Sequence, residues 1–142
     1  MSENWLMEAD KLYKRGRFEE AIKAYDEVLK IDPEDASAWV NKALALVGLG
    51  RFEEAVKCYD EALKIDPEDI RVLNLKGKAL IKLGKFKDAE KTFDKAIKIF
   101  PKGPEAWYNK GASLQARKKD KDAKKCFDKA AKLDPSIRHP LR

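Results

Sequence analysis

Pro33, Pro67, Pro101 and Pro135 stand 34 residues apart, and each follows the same kind of segment. Those segments read Lys30-Ile31-Asp32, Lys64-Ile65-Asp66, Lys98-Ile99-Phe100 and Lys132-Leu133-Asp134. No single helix or strand generates so long a period, so the chain must be built from successive copies of one supersecondary unit. The same interval relates Ala21, Ala55, Ala89 and Ala123, and again Tyr25, Tyr59, Phe93 and Phe127. Trp5, Trp39 and Trp107 keep it too, with Leu73 in the third slot.

Within one unit the apolar residues follow a helical period. Trp39, Ala43 and Leu46 form one stripe, and Phe52, Ala55, Val56, Tyr59, Ala62 and Leu63 form a second. Gly50 separates them and is followed by Arg51, which suits a helix end with left-handed backbone. Gly16 and Gly84 repeat this arrangement, and Gly103 is read with them as a turn residue. The Asp-Pro pair stops the second helix and redirects the chain. No stretch alternates as a strand does. The reading is all-α: helical hairpins over 2–35, 36–69, 70–103 and 104–137, with 138–142 as a short tail. A hairpin this small cannot bury its own apolar face, so neighbours must stack. Charged residues make up 39% of the chain against a usual ~25%. Such an excess needs surface, which a row of helices provides.

These residues resemble the tetratricopeptide repeat, whose pattern is W-x2-L-G-x2-Y, then A-x3-F, then P. The fourth copy reads Trp107-x2-Lys110-Gly111-x2-Leu114, Ala123-x3-Phe127, Ala130 and Pro135. The second reads Trp39-x2-Lys42-Ala43-x2-Leu46, Ala55-x3-Tyr59, Ala62 and Pro67. The resemblance implies a right-handed α-solenoid of four antiparallel helix hairpins, a single solenoid over 1–137. It also implies a protein–protein interaction scaffold and no enzyme. The sequence departs from the pattern in places. The usual leucine is Glu8, Lys42, Lys76 or Lys110, and the fourth copy reads Arg117-Lys118-Lys119-Asp120-Lys121 where the others have their turn glycine and aromatic. Family members often end in a solvating helix; the Pro-broken segment Ser136 to Arg142 is too short for one. Either the polar second helix of the fourth copy caps the stack, or that end meets a partner.

By the same resemblance, the first helix of each hairpin lines a concave groove. The implied groove positions are Leu6, Asp10 and Tyr13; Val40, Leu44 and Val47; Asn74, Lys78, Ile81 and Lys82; Tyr108, Ala112, Gln115 and Ala116, flanked by Asn41 and Asn109. Val40, Leu44 and Val47 form a second apolar stripe, offset by one residue from the core stripe. It reads either as exposed binding surface or as surface covered by adjacent hairpins. Asn74, Lys78 and Lys82 share one face, so an extended peptide would set apolar side chains on the early repeats and carboxylates on the third. A specialised subset of the family clamps a terminal carboxylate; Asn41 and Arg71 match its pattern, but Leu6, Asp10 and Leu75 do not.

Charge is uneven. Residues 1–69 carry 10 basic and 17 acidic side chains, and residues 70–142 carry 21 and 8. Acidic partners are therefore steered to the second half. End-to-end self-association of opposite charge halves is the competing class, giving a homo-oligomer. Nucleic acid fits less well, because Asp88, Asp94, Asp122 and Asp128 interleave the lysines and no base-stacking aromatics accompany them. His139 is the only histidine and lies in the tail, so histidine triads and histidine metal sites are not expected. No cofactor is implied. Cys58 and Cys126 share one slot and read as packing residues. No apolar run of about 18 residues is present, nor a signal-peptide layout, so a cytoplasmic location is expected.

Overall fold

A computed structural model describes residues 2–141. Met1 and Arg142, which the repeat reading assigns to the solenoid and to the tail, lie outside the described residues. The described chain contains eight helices and no strand. They are α1 (Ser2–Lys14), α2 (Phe18–Ile31), α3 (Ala36–Gly48), α4 (Phe52–Ile65), α5 (Ile70–Lys82), α6 (Phe86–Ile99), α7 (Pro104–Ala116) and α8 (Asp120–Leu133). None is long and apolar enough to cross a membrane. The chain falls into two compact units, one through Val72 and one from Leu73 onward.

The turns form where the sequence places its punctuation. Gly16, Gly50 and Gly84 take φ of 76°, 75° and 75°. At the first of these, the Gly16 N–H donates to the Tyr13 carbonyl and the Arg17 N–H to the Leu12 carbonyl, both at 2.9 Å. That pair of bonds satisfies carbonyls a helix end leaves open. In the fourth copy Lys118 takes the same role at φ 61°. Its N–H reaches the Gln115 carbonyl at 2.9 Å, and the Lys119 N–H reaches Leu114 at 2.8 Å. The turn is thus kept without its glycine. Gly103 differs: at φ −77° it is the extended residue before α7, with Pro104 at the first helical position.

The second helices start without a side-chain cap but carry acids in the first turn, such as Glu19 and Glu20 or Asp120 and Asp122, where the helix dipole favours them. They end at Asp32, Asp66, Phe100 and Asp134. The three aspartates among them then accept the N–H two residues on: Glu34 at 3.1 Å, Glu68 at 3.2 Å and Ser136 at 3.0 Å. Asp35 caps α3 by accepting the Ala38 N–H at 3.0 Å. Two indoles fix this turn from the next helix. Trp39 Nε1–H donates to the Pro33 carbonyl at 2.9 Å, and Trp107 Nε1–H to Pro101 at 2.8 Å.

In the first unit α1 packs on α2, α3 on α4, and α3 also on α2 and α1. In the second, α7 packs on both α6 and α8. The repeated aromatics are the largest buried side chains: Tyr25, Tyr59, Phe93 and Phe127 are each at most 1% exposed. Ala21, Ala55, Ala89 and Ala123 are fully buried, which lets the backbones approach. Phe93 and Phe127 lie directly on the backbones of Gly77 and Gly111.

Candidate functional site

In the first unit the expected groove residues turn mostly inward. Leu6 and Tyr13 are half-buried against the core around Ala9, Leu12, Tyr25 and Val28. Asp10 accepts a hydrogen bond from the Tyr25 hydroxyl at 2.5 Å. Burial, and then that bond, raise the Tyr25 phenol well above its ordinary range. Of the two readings of the stripe Val40, Leu44 and Val47, Val40 follows the covered one, at only 5% exposure. The physical reason is that α3 is enclosed by α1, α2 and α4, which leaves it a narrow free face. Asn41, Leu44 and Val47 remain half-buried, and Arg71 is exposed.

The second unit brings more of the expected residues together. Asn74 was expected beside Lys78 and Lys82 on an open face, yet it is buried at 3% exposure. Its Oδ1 faces the Asn109 amide Nδ2 at 3.5 Å, an amide pair between α5 and α7. Burying one amide needs a partner, and a second amide supplies it. Lys78 and Lys82 stay exposed, and Lys78 Nζ sits 3.3 Å from Glu105 Oε1. Ile81 and Ala112 are half-buried, whereas Gln115 and Ala116 are exposed.

Lys78, Tyr108 and Asn109 line a cleft of about 550 Å³ together with Pro104, Glu105, Asp134, Ile137 and Arg138. A cleft of that size can take several side chains of a ligand. Tyr108 forms its aromatic surface, with its ring 5.2 Å from the buried Phe127 ring. Asp134 is turned aside: it accepts the Ser136 hydroxyl at 2.7 Å and its N–H at 3.0 Å, and these bonds hold its carboxyl below the usual range. Lys78 and Glu105 are both more than half exposed, so their pair is worth at most ~1 kcal/mol. A ligand carboxylate can replace Glu105 at little cost. Arg138 is exposed and pairs with no acid among the described residues.

Two of the residues that replace the usual leucine have a structural role. Lys42 Nζ reaches Asp26 of α2 at 2.6 Å and lies 5.7 Å from the centre of the Trp39 ring. Lys110 repeats the first bond with Asp94 of α6 at 2.7 Å. Each ties a hairpin to the one before it. Cys58 and Cys126 are buried and free. Burial pushes the Cys58 thiol up to about 11 and raises that of Cys126, which leaves both poor nucleophiles. No group of potential metal ligands gathers among the described residues.

The short tail packs back on α8: His139 is buried, with Nε2 at 2.8 Å from Asp128 Oδ1. The sequence did not point to Pro104, Glu105, Asp134, Ile137 or Arg138 as cleft residues. One signal was available. The 34-residue period continues to Leu141, which falls in the slot of Trp5, Trp39, Leu73 and Trp107. The Asp134-Pro135 turn thus sends the chain where a next first helix would begin.

Comparison with known proteins places this architecture. No curated protein matches the chain. Among solved structures, MamA 41-end from Desulfovibrio magneticus RS-1 is 24% identical with a TM-score of 0.87, over 96% of this chain and 77% of that one. A further MamA crystal structure is 20% identical with a TM-score of 0.88, over 94% and 73%. PilF of Pseudomonas aeruginosa is 25% identical with a TM-score of 0.81, over 96% and 62%. Similarity at these identities shows a shared fold, the all-α solenoid of helical hairpins. Models of the tetratricopeptide repeat match residues 6–70, 70–102 and 104–137. With its repeat phase and helix order kept in all four copies, the chain belongs to the tetratricopeptide repeat family.

Proposed function

We propose that this interaction scaffold binds an extended segment of another protein, apolar and acidic in character, in the cleft of its second unit. The observation that carries the reading is the pairing of cations with an aromatic surface. Lys78, held only by a weak exposed pair, and Arg138, which has no acidic partner among the described residues, line one cleft with Tyr108. The surroundings favour the same ligand: residues 73–142 carry 20 basic and 8 acidic side chains. Such a field steers acidic partners toward the cleft before contact.

Fluorescence anisotropy tests this with a short labelled peptide alternating leucine and glutamate, against a counterpart alternating leucine and lysine. The acidic peptide is expected to bind, and Lys78→Glu to weaken it about tenfold, or ~1.4 kcal/mol. Raised salt should weaken it further, because these charges are exposed. Equal binding of both peptides, or of neither, would refute the reading. A second reading is self-association, favoured by Trp5, Met7 and Ile31, which leave apolar surface on the first hairpin at 41%, 61% and 47% exposure. Light scattering separates the two: a monomer mass at all concentrations excludes it.

A further inference from the structure

We propose that the segment after α8 is a built wall of this cleft, and that His139 is the positioning residue that holds Arg138 toward a ligand carboxylate. The inference rests on the binding reading above and adds the element that completes the site.

The segment's path is fixed bond by bond. Asp134 accepts Ser136 through both its N–H and its hydroxyl, and the Ile137 N–H donates to the Asp134 carbonyl at 3.0 Å. The chain reverses over these residues and presents Ile137 and Arg138 to the cleft. His139 then anchors it. Its side chain is 4% exposed, and both ring nitrogens are used. Nδ1 accepts the Leu141 N–H at 3.1 Å, so the proton of the neutral ring sits on Nε2 and is donated to Asp128. Asp128 is held in turn by Lys124, whose Nζ lies 3.0 Å from its other oxygen.

The anchor and the cleft share a ring. His139 meets Phe127 edge-on at 5.6 Å between centroids, and Tyr108 meets the same ring at 5.2 Å. A change at His139 is therefore transmitted both to the wall and to the aromatic surface. Fixing the backbone around Arg138 before a ligand arrives removes ordering that binding would otherwise have to impose. A loose segment would carry the same charge and bind more weakly.

The test uses the alternating leucine–glutamate peptide and the full chain. His139→Leu keeps the bulk but loses the donor, and is expected to weaken binding about tenfold. His139→Gln places an amide N–H near the Nε2 position and should stay within about threefold of wild type. Asp128→Ala removes the same bond from the helix side and guards against a folding defect in the histidine variants. The deciding measurement is a double-mutant cycle. If His139 acts through Arg138, then Arg138→Ala should cost about tenfold in the wild type and almost nothing in His139→Leu. Additive losses, or equal weakening by leucine and glutamine, overturn the positioning role while leaving the cleft in place. Failure of the wild type to bind the peptide overturns the cleft itself, and the wall with it.

Discussion

Replacing Lys118 with glycine is expected to make the protein more stable, against the usual effect of point substitutions. Lys118 holds φ 61° at a turn whose three counterparts are glycines at 75–76°. Left-handed backbone costs a side-chain-bearing residue about 1–2 kcal/mol. Glycine's greater freedom in the unfolded chain gives back about 0.4–1 kcal/mol of that gain. A net stabilisation of about 0.5–1 kcal/mol remains, or roughly 2–4 °C in Tm for a chain of this length. Lys118→Ala serves as the control: it removes the charge and the long side chain but keeps the Cβ, so it should lie within about 0.5 kcal/mol of wild type. The reverse experiment is Gly50→Ala. A Cβ there meets nothing within 4 Å, so the expected loss of ~1 kcal/mol is a pure backbone effect. Urea unfolding followed by far-UV circular dichroism would measure all three. If Lys118→Gly is no more stable than Lys118→Ala, the strain assigned to this turn is wrong.

Two buried positions give opposite signs. Gly77→Ala would set a Cβ 2.3 Å from Cε1 of the fully buried Phe93, and should destabilise by about 1–3 kcal/mol despite alanine's better helix propensity. A gain in thermal stability would show that Phe93 can move aside. Ser113 is fully buried with its Oγ unpartnered, whereas Ala45 and Ala79 occupy the same slot, so Ser113→Ala should raise stability by about 1 kcal/mol. A loss in calorimetry would mean that the hydroxyl is satisfied after all.

The fold was legible because its punctuation is chemical. Asp-Pro pairs and turn glycines marked helix ends within a residue or two, and the buried aromatics were evident from phase alone. Helix boundaries depend on local backbone preferences, which a sequence displays directly. The site was less legible for two reasons. The first helices are enclosed on several sides, and a period cannot tell how wide their free face is; Val40 and Asn74 fell just inside it. The roles of Lys118 and His139 were not legible for a different reason. Each takes its conformation from long-range contacts or from its neighbours' geometry, against its own composition signal. The indole bonds to the proline carbonyls belong here too: the tryptophans were visible as a repeated slot, but their N–H partners were not.

The two free thiols have a practical consequence. Cys58 sits in the first compact unit and Cys126 in the second, each 5% exposed and each with its thiol raised by burial. A modifying reagent meets two barriers in the native protein, since access is closed and the reactive thiolate is scarce. Both barriers fall together when the surrounding helices open, and the thiol then returns to an ordinary value near ~8.5. Each half of the molecule therefore carries its own clock. The labelling rate at one cysteine times the opening of that half alone, without an added probe, so the two halves can be compared within a single chain.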